Sequence, residues 1–431
     1  MWSDRILHFV GIGGAGMSGL ALVASALGAR VTGSDRAPYA GPLRDLGIEP
    51  TVGHAAANVP AGAEVVYSSA IPPDNPERAV AERQLHRADL LGELTRIKPT
   101  IAVTGTHGKT TTSSMLVHAM RGAGMDPSYL VGGEVRSTGS NAGLGSGEWL
   151  IVEADESDRS LLKLQPAIAV LTNAELDHHT TYASQRDVDD TFREFLAKAR
   201  EAVIWDRPNL LALAGATKTT PFDARPELTP GGSRFTLHGV EVALPVPGEH
   251  NARNAAAALE AARLAGADLA AAARALQDFA GAGRRFERLG ATVHGALVVD
   301  DYAHHPTEVA ATLAAARTLE PARVIAVFQP HLYSRTQREA RQFGQALAAA
   351  DLAVVLDVYP ARERAEDHPG VSGLLVAEAT ADAAGGKRVA WLRDIPTAER
   401  FLQSELRAGD LVLTLGAGDV NRLGHALVAG T

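Results

Sequence analysis

A glycine-rich segment in the first third of the chain has the residue types needed to bind phosphate. It is Gly105–Thr111 (GTHGKTT), and the apolar run Thr100–Thr104 before it predicts a strand. Backbone amides of such a loop surround phosphates, Lys109 would reach the terminal phosphates, and the Thr110 hydroxyl would bind Mg²⁺. A standard phosphate loop has glycine where Val103 stands, so the segment matches a shortened variant. The alternative is a helix start that happens to contain Gly-Lys-Thr.

A second glycine-rich turn lies near the N-terminus. Gly11–Gly16 (GIGGAG) falls between a predicted strand, Ile6–Ile12, and a predicted helix, Met17–Gly28. Its glycines allow a tight turn that brings a diphosphate onto helix N-terminal amides, and Asp35 stands where Rossmann proteins bind ribose. Alone, this pattern indicates an NAD-dependent dehydrogenase, or simply a turn of the kind that many α/β sheets contain. A second phosphate-binding loop elsewhere in the chain argues against a simple dehydrogenase.

Acidic and histidine side chains follow two other predicted strands. Glu153–Asp158 (EADESD) comes after the apolar run Trp149–Val152, and His178 comes after Ala167–Thr172. Carboxylates at the carboxyl end of a strand commonly hold Mg²⁺ in phosphate-loop domains. We expect only Glu153 of this run to be functional and the remainder to be a solvated loop. One imidazole among oxygen ligands suits Mg²⁺ or Mn²⁺ better than zinc, and a hydrogen-bonded loop histidine is the alternative.

Further polar clusters occupy the second half of the chain. Asn251 opens an alanine-rich helix, where it could cap the helix or recognise an adenine edge. Arg284 and Arg285 could be a solvated pair or could meet a γ-phosphate. The segments Asp300–Pro306 and Gln329–Arg335 each follow a predicted strand, at the edge where open α/β sheets bind ligands.

The composition limits the class of protein. The chain has 431 residues, of which 46% are hydrophobic and 21% charged, as in ordinary globular proteins of several domains. Its 41 basic and 50 acidic residues give a net charge of −9, which argues against a general nucleic-acid binder. Cysteine is absent, so disulfides, thiolate zinc sites and cysteine nucleophiles are excluded. Neither a signal peptide nor a membrane span is expected, and a cytoplasmic location is predicted.

The elements that position these residues alternate between strands and helices, which predicts α/β domains with largely parallel sheets. In the first hundred residues we expect a long helical stretch over Glu77–Leu94. Residues 205–249 have the pattern of β-hairpins, and Asn254–Phe279 predicts a pair of alanine-rich helices. A third alternating pattern fills the C-terminal part. The predicted organisation is three domains, over residues 1–98, 99–286 and 287–431.

Taken together, the motifs resemble the Mur ligases, the ATP-dependent amino-acid ligases of peptidoglycan synthesis. The resemblance covers nearly the whole chain in order: GTHGKTT at Gly105–Thr111, Glu153, Asp177-His178, HNxxN at His250–Asn254, and Arg284-Arg285. Other segments resemble the branch of the family that joins L-alanine to UDP-N-acetylmuramate. They are GIGGAGMSG at Gly11–Gly19, SSAI at Ser68–Ile71, DDYAHHPTE at Asp300–Glu308, QPHLYSRT at Gln329–Thr336 and LGAGD at Leu415–Asp419.

The resemblance implies a role for each domain. Residues 1–98 would form a Rossmann-like domain that binds the UDP part of UDP-N-acetylmuramate. Residues 99–286 would form a P-loop ATPase-like domain that binds ATP with Mg²⁺ or Mn²⁺, and residues 287–431 a Rossmann-like domain that binds L-alanine. The implied reaction proceeds through an acyl phosphate. The implied partners are these small molecules, with no nucleic acid and no membrane, and the chain would act as a monomer or homodimer.

The resemblance also implies a role for individual residues. The UDP-sugar would contact Gly13, Gly14, Ala15, Gly16, Ser68, Ser69 and His107. ATP would contact Gly105, Thr106, His107, Gly108, Lys109, Thr110, Thr111, Asn251, Arg285 and Asp301. Metal would be held by Thr110, Glu153 and His178, and L-alanine by Tyr302, His304 and Arg335. The catalytic groups would be Lys109, Arg285 and His178.

The chain departs from the family pattern at three places. Leu332 stands where several relatives carry arginine, and Thr181 precedes Tyr182 where an aspartate is usual. Some Mur ligases use a carbamylated lysine, but Lys198 is expected on a helix surface. The alternatives are a ligase of the same family that recycles a murein tripeptide and, in a different class, the NAD-dependent dehydrogenase.

Overall fold

The computed structural model of the chain describes residues 2–39, 41 and 43–430, with the side chain of Ala15 outside the described part. It forms four β-sheets with helices between the strands, which confirms the predicted α/β class with largely parallel sheets. The chain divides into two compact units. The first comprises Met1–Asp223 and Arg253–Phe279, and the second comprises Ala224–Ala252 and Ala280–Thr431. The boundaries at residues 98 and 286 stay a prediction.

The N-terminal sheet has five parallel strands in the order β3-β2-β1-β4-β5. They are β1 (Ile6–Val10), β2 (Arg30–Asp35), β3 (Thr51–Val52), β4 (Glu64–Tyr67) and β5 (Arg83–His86). The helices of this part are α1 (Ala15–Ala26), α2 (Pro76–Ala79) and α3 (Arg87–Ile97). The chain runs from β1 through β2 to β3 on one side and then crosses to β4 and β5 on the other side of β1. The crevice beyond the carboxyl ends of β1 and β4 is therefore the topological switch point, where open α/β sheets bind ligands.

The predicted helical stretch Glu77–Leu94 is wrong as a single helix. Asn75 caps α2 by accepting hydrogen bonds from the amides of Glu77 and Arg78, but α2 ends at Ala79. The chain then forms β5, which pairs in parallel with β4 before α3 begins. Pairing with an existing strand outweighs the local helical preference, since intrinsic propensity is small compared with tertiary contacts.

The central sheet has seven strands in the order β12-β11-β10-β6-β9-β7-β8, and its pairs are parallel except for β7–β8. The strands are β6 (Thr100–Thr104), β7 (Ser128–Val135), β8 (Ser140–Gly143), β9 (Leu150–Glu153), β10 (Ile168–Leu171), β11 (Glu201–Trp205) and β12 (Lys218–Phe222). The helices are α4 (Lys109–Gly122), α5 (Gln185–Leu196), α6 (Pro208–Leu211), α7 (Glu249–Leu264) and α8 (Leu269–Ala275). Since β6 lies between β9 and β10, the loops that follow these three strands meet at one edge.

The N-terminal and central sheets pack together within the first unit. A Cβ atom on Gly19 of α1 would lie 2.9 Å from Ala142 and 3.0 Å from Leu130 of the β7–β8 pair. A Cβ atom on Gly92 of α3 would lie 2.7 Å from the carbonyl oxygen of Lys163. The two sheets are therefore held at close range, with glycine at both points of approach.

The second unit contains an antiparallel three-stranded sheet and a six-stranded sheet of order β16-β17-β21-β18-β19-β20, antiparallel only at β16–β17. The strands are β13 (Glu227–Thr229), β14 (Gly232–Leu237), β15 (Val240–Leu244), β16 (Glu287–Ala291), β17 (Leu297–Asp301), β18 (Arg323–Phe328), β19 (Leu352–Val355), β20 (Arg388–Trp391) and β21 (Asp410–Leu415). The helices are α9 (Pro306–Arg317), α10 (Tyr333–Leu347), α11 (Gly373–Ala383), α12 (Ile395–Glu405) and α13 (Asn421–Ala429). The predicted hairpins are present only over residues 227–244. The prediction is wrong for the preceding part of residues 205–249, which forms α6 and the parallel strand β12. The predicted helical pair is present as α7 and α8.

Short 3₁₀ helices complete the secondary structure. They are Trp2–Asp4, Arg44–Leu46, Ala56–Asn58, Ser160–Lys163, Ala212–Ala214, Leu276–Asp278 and Ala365–Asp367. Among the helices that the structure describes, none is long and apolar enough to cross a bilayer.

The substitution Gly92→Ala should destabilise the first unit, because the new methyl group would meet a backbone carbonyl, which cannot move aside as a side chain can. Overpacking of this kind costs about 1–3 kcal/mol, of which the better helix propensity of alanine offsets up to about 1 kcal/mol. Urea unfolding followed by circular dichroism measures the loss. Arg96→Ala, at an exposed position of the same helix, should change the free energy of unfolding by less than about 0.5 kcal/mol. Wild-type stability of Gly92→Ala would contradict the close packing.

Candidate active site

The loop between β6 and α4 adopts a conformation that requires glycine at two positions. Gly105 and Gly108 have φ of 130° and 83°, in the region that other residues rarely adopt. A Cβ atom on Gly105 would lie 2.1 Å from Thr172 Oγ1, and one on Gly108 would lie 2.6 Å from Asn254 Oδ1. The loop is thus enclosed by the residues after β10 on one side and by α7 on the other.

Hydrogen bonds from the segment after β10 fix the same loop. The His107 amide donates to Asn173 Oδ1 at 2.8 Å, and the His107 carbonyl accepts from Thr172 Oγ1 at 2.6 Å and Asn173 Nδ2 at 3.0 Å. The Thr106 hydroxyl donates to the Glu175 carbonyl at 3.0 Å and accepts from the Glu175 amide at 2.9 Å. The His107 ring lies 3.4 Å from the Glu175 carboxylate. The loop is therefore organised before any phosphate binds.

The ammonium group of Lys109 lies inside this loop. Its Nζ donates to the carbonyl oxygens of Gly105 at 2.7 Å and Thr106 at 3.1 Å, and it lies 2.8 Å from Oε2 of Glu156. Burial lowers the pKa of Lys109, but the carboxylates of Glu156 and Asp155 outweigh burial and raise the pKa above its usual value. Lys109 is consequently a fixed positive charge at the start of α4.

Glu156 corrects the expectation that the acidic run beyond Glu153 is a solvated loop, because it is buried against Lys109. Its side chain is only 2% exposed, and the segment after β10 holds the backbone beside it. The Tyr182 hydroxyl donates to the Glu156 carbonyl at 2.6 Å, and Thr181 Oγ1 donates to the Ser157 carbonyl at 2.6 Å. No local signal marks Glu156, because its burial depends on Lys109, 47 residues earlier in the chain.

One set of possible metal ligands lies at the start of α4. The Thr110 hydroxyl donates to Glu153 Oε1 at 3.1 Å, so the structure brings these two predicted ligands together. The other oxygen of Glu153 accepts from the Gly132 amide at 2.7 Å, a contact with β7 that the sequence did not indicate. Thr111 follows on the buried first turn of α4. A hydroxyl beside a carboxylate suits a hard cation such as Mg²⁺.

A second set of possible ligands adjoins Lys109. Atoms of Asp155, Glu156 and His178 lie within 4.8 Å of one another, and His178 Nε2 is 3.2 Å from Glu156 Oε1. Burial raises the pKa of Asp155, but Lys109 and hydrogen bonds from Ser157 outweigh burial and lower it. Asp155 is thus ionised near neutral pH. Two carboxylates with one imidazole could hold Mg²⁺ or Mn²⁺. The structure thus groups His178 with Asp155 and Glu156, whereas its predicted grouping with Thr110 and Glu153 stays a prediction.

The charge balance of this site also favours a divalent cation. Glu153, Asp155, Glu156 and Asp177 lie close to the loop, against the single ammonium of Lys109. A triphosphate brings further negative charge. Because like charges at this range repel strongly in a partly buried site, a bound cation would be needed to neutralise the phosphate oxygens.

The N-terminal glycine-rich turn presents amides at the start of α1. Gly11 has φ of 74°, Gly14 caps α1, and Ala15 is its first residue. The Gly13 amide donates to Asp35 Oδ2 at 2.8 Å, so an anionic oxygen already lies against this turn. Gly13, Gly14 and Gly16 are exposed. This arrangement fits a diphosphate at the helix N-terminus.

The predicted serines follow β4, across the switch point from that turn. The Ser68 carbonyl accepts from the Ile71 amide at 3.0 Å, which forms a turn, and Ser69 Oγ lies 3.1 Å from His86 Nε2 at the end of β5. Ser69 is exposed. The carboxyl ends of β1, β4 and β5 thus carry polar groups along one edge of the N-terminal sheet.

In the second unit, the structure brings together several of the residues implied for nucleotide and amino-acid binding. The guanidinium groups of Arg284 and Arg285 lie 5.0 and 5.1 Å from the centre of the Tyr302 ring. Tyr302 meets His304 edge to face, with ring centres 5.3 Å apart. His304 Nδ1 lies 3.3 Å from Glu308, and Arg285 lies 3.9 Å from the same carboxylate.

Asp301, also in the second unit, is a buried carboxylate. It accepts hydrogen bonds from the amides of Phe286 at 2.9 Å and Ala303 at 2.8 Å. Burial raises the pKa of Asp301 to about 6, although Arg285 and the two amides act in the opposite direction. A carboxyl group with a pKa in this range changes charge under mildly acidic conditions.

The other two implied residues of this unit are also buried. Asn251 Nδ2 donates to the Pro247 carbonyl at 2.7 Å, so its amide serves the start of α7. Arg335 is 5% exposed on α10, which begins after Leu332 in a left-handed conformation with φ of 71°. Their roles towards ATP and the amino acid stay predictions.

Comparison with known proteins identifies the family. Three family models match consecutive parts of the chain: Mur ligase family, catalytic domain, over residues 6–98; Mur ligase middle domain, over 103–262; and Mur ligase, glutamate ligase domain, over 284–418. The UDP-N-acetylmuramate–L-alanine ligase of Acidithiobacillus ferrooxidans is 44% identical, over 97% of this chain and 96% of the relative. The chain belongs to the Mur ligase family.

Solved structures agree with the three-domain Mur ligase fold. The UDP-N-acetylmuramate–alanine ligase of Thermotoga maritima is similar with a TM-score of 0.81 at 28% identity, covering 98% of each chain. A murein peptide ligase of Psychrobacter arcticus has a TM-score of 0.69 at 24% identity, covering 99% of this chain and 98% of that one. The latter likeness shows the fold alone.

The raised pKa of Asp301 predicts a pH dependence of stability in this Mur ligase. The folded protein binds the proton more tightly than an unfolded aspartate of pKa 3.8. This stabilisation is complete below about pH 4 and is lost as the pH rises through about 6, up to about 3 kcal/mol in all. Asp301→Asn should flatten that decline in urea unfolding measured from pH 4 to 7. The control Asp382→Asn, at an exposed position, should keep the wild-type decline of the free energy of unfolding with pH. An unchanged decline in Asp301→Asn would contradict the raised pKa of Asp301.

Proposed function

We propose that this Mur ligase joins L-alanine to the lactyl carboxylate of UDP-N-acetylmuramate, while ATP is cleaved to ADP and phosphate. The observation that carries the proposal is the presence of two glycine-rich loops, each between a strand and a helix N-terminus, in one compact unit, after β1 and after β6. One suits the diphosphate of a sugar nucleotide and the other suits ATP. Relatives that are 44% identical along nearly the whole chain are UDP-N-acetylmuramate–L-alanine ligases, which supports this pair of substrates.

The chemistry takes two steps. An oxygen of the lactyl carboxylate attacks the γ-phosphorus of ATP, the bond from that phosphorus to the bridging oxygen breaks, and ADP leaves. The unprotonated amine of L-alanine then attacks the carbonyl carbon of the acyl phosphate. The tetrahedral intermediate loses phosphate and the nitrogen loses a proton, which leaves the amide. Catalysis is mainly positioning of the reactants and neutralisation of charge.

Residues of the first unit would bind the nucleotides. Lys109 would exchange its contact with Glu156 for the terminal phosphates of ATP, and the amides of Gly105–Thr111 would surround them. Thr110, Glu153 and His178 would hold Mg²⁺ or Mn²⁺, which when bound would neutralise phosphate oxygens. Gly13, Gly14, Ala15, Gly16, Ser68, Ser69 and His107 would contact the UDP-sugar.

The remaining implied residues belong to the second unit. Asn251, Arg285 and Asp301 would serve ATP, with Arg285 acting on the γ-phosphate. Tyr302, His304 and Arg335 would serve L-alanine, whose carboxylate would depend on Arg335, because Leu332 offers no charge. A cytoplasmic location and a monomeric or homodimeric state belong to the same proposal.

A panel of acceptors tests the proposal directly. The enzyme is given ATP, Mg²⁺ and UDP-N-acetylmuramate with L-alanine, glycine, L-serine or a murein tripeptide, and phosphate release is measured. L-alanine should give the highest kcat/KM, about 10-fold or more above glycine, as expected for one methyl group in an apolar pocket. A preference for the tripeptide would favour the recycling ligase, and phosphate release independent of any acceptor would contradict amide formation.

The substitution Lys109→Ala tests the role of the ATP loop in the reaction. This variant leaves Glu156 without its partner, so its folding is first checked by circular dichroism. The folded variant should form no ADP, because the loop loses its fixed positive charge, while it should still bind UDP-N-acetylmuramate in isothermal titration calorimetry. The control is Lys163→Ala. The exposed ammonium group of Lys163 lies 2.9 Å from the Asp89 carboxylate and does not contact the loop, so this variant should keep wild-type turnover. Near-normal turnover of Lys109→Ala would contradict the assignment of the ATP loop.

A further inference from the structure

Arg87 occupies a position that neither the motifs nor the proposed mechanism uses. It is the first residue of α3, directly after β5, and its guanidinium group reaches across the edge of the N-terminal sheet. A Cβ atom on Gly16 would lie 3.1 Å from Arg87 Nη1. The guanidinium group therefore lies beside the first turn of α1, where the glycine-rich turn presents its amides.

The described ion pair of Arg87 is weak enough to be exchanged. Its Nη2 lies 3.6 Å from Oδ2 of Asp158, and the two side chains are 28% and 30% exposed. Ion pairs of this length and exposure contribute about 0–1 kcal/mol. An anion that reaches the turn at Gly16 can thus take the place of Asp158 at little cost.

The neighbouring histidine adds no positive charge to this crevice at neutral pH. His86 Nε2 lies 3.1 Å from Ser69 Oγ, one of the residues implied for the UDP-sugar. Burial and then the charge of Arg87 lower the pKa of His86, so His86 is neutral near pH 7. Ser69 and His86 therefore offer neutral hydrogen-bonding groups, and Arg87 offers the cation.

Such a cation would strengthen the binding of a diphosphate. The diphosphate carries two negative charges, whereas the amides at the start of α1 and the two serines after β4 are uncharged. A guanidinium group can donate two parallel hydrogen bonds to phosphate oxygens, a geometry that lysine does not provide. Its position beside Gly16 and across the switch point from β1 matches where the diphosphate would lie.

We propose that Arg87 binds the diphosphate of the UDP-sugar directly and gives up Asp158 when it does so. The inference rests on the proposed function. Arg87 would add a charged side chain to a UDP-sugar site for which the motifs implied only glycines, an alanine, two serines and a histidine.

Binding of UDP and of uridine to purified variants tests the proposal. Titrations without ATP or metal compare the wild type with Arg87→Ala, Arg87→Lys and Asp158→Asn. Arg87→Ala should weaken UDP about 10- to 100-fold, as for lost hydrogen bonds to a charged group. The affinity for uridine, which has no phosphate, should change less than about 2-fold. Arg87→Lys should fall between, and Asp158→Asn should bind UDP at least as tightly as the wild type.

Other outcomes would overturn the proposal. Equal losses for UDP and uridine, or a loss in Asp158→Asn as large as in Arg87→Ala, would show that the pair only supports the structure. Wild-type UDP affinity in a folded Arg87→Ala would overturn this inference alone, whereas a wild type that binds no UDP would overturn the proposed function as well. If circular dichroism shows that Arg87→Ala does not fold, the UDP affinities of Arg87→Lys and Asp158→Asn are compared instead. A lower affinity in Arg87→Lys alone supports the proposal, and equal affinities in the two variants overturn it.

Discussion

The buried pair of Lys109 and Glu156 is the interaction on which the ATP site depends. It joins the loop after β6 to the segment after β9, and Tyr182 and His178 attach the segment after β10 to the same carboxylate residue. Removing either partner would leave a buried charge without compensation, which is among the costliest changes a protein can undergo. The same pair keeps the ammonium in place until a more negative ligand, the phosphate chain, competes for it.

The topology of the first unit explains how two nucleotides could be used in one reaction. Each glycine-rich loop follows a strand near the middle of its sheet, β1 in one and β6 in the other, and precedes a helix whose first amides face the loop. Close packing at Gly19 and Gly92 holds the two sheets in one unit. Transfer of a phosphoryl group to a carboxylate requires reacting atoms at a defined distance and angle, and close packing of the two sheets would help to keep them there.

The strand–loop–helix form of both glycine-rich segments could be predicted from the sequence, because each follows an apolar run and precedes a helical pattern. Their binding of phosphate stays a prediction. The contact of Thr110 with Glu153 could also be predicted. Thr110 lies in the first turn of the helix after β6, Glu153 ends β9, and these two strands are neighbours in a parallel sheet. The contacts of Glu156 and Gly132 could not be predicted, because their roles depend on residues far along the chain. The strand β5 was missed because its sequence looks helical and only pairing with β4 makes it a strand. Arg87 escaped notice because an arginine at a helix start is ordinary until the fold brings it to Gly16.

The central claim is that the carboxylate of the sugar nucleotide attacks the γ-phosphorus. Oxygen transfer tests it most directly. UDP-N-acetylmuramate labelled with ¹⁸O in the lactyl carboxylate is turned over with ATP and L-alanine, and the released phosphate is analysed by mass spectrometry. An acyl-phosphate route predicts that one labelled oxygen leaves in each phosphate and that the other stays in the amide. Amide formation with unlabelled phosphate would contradict the account.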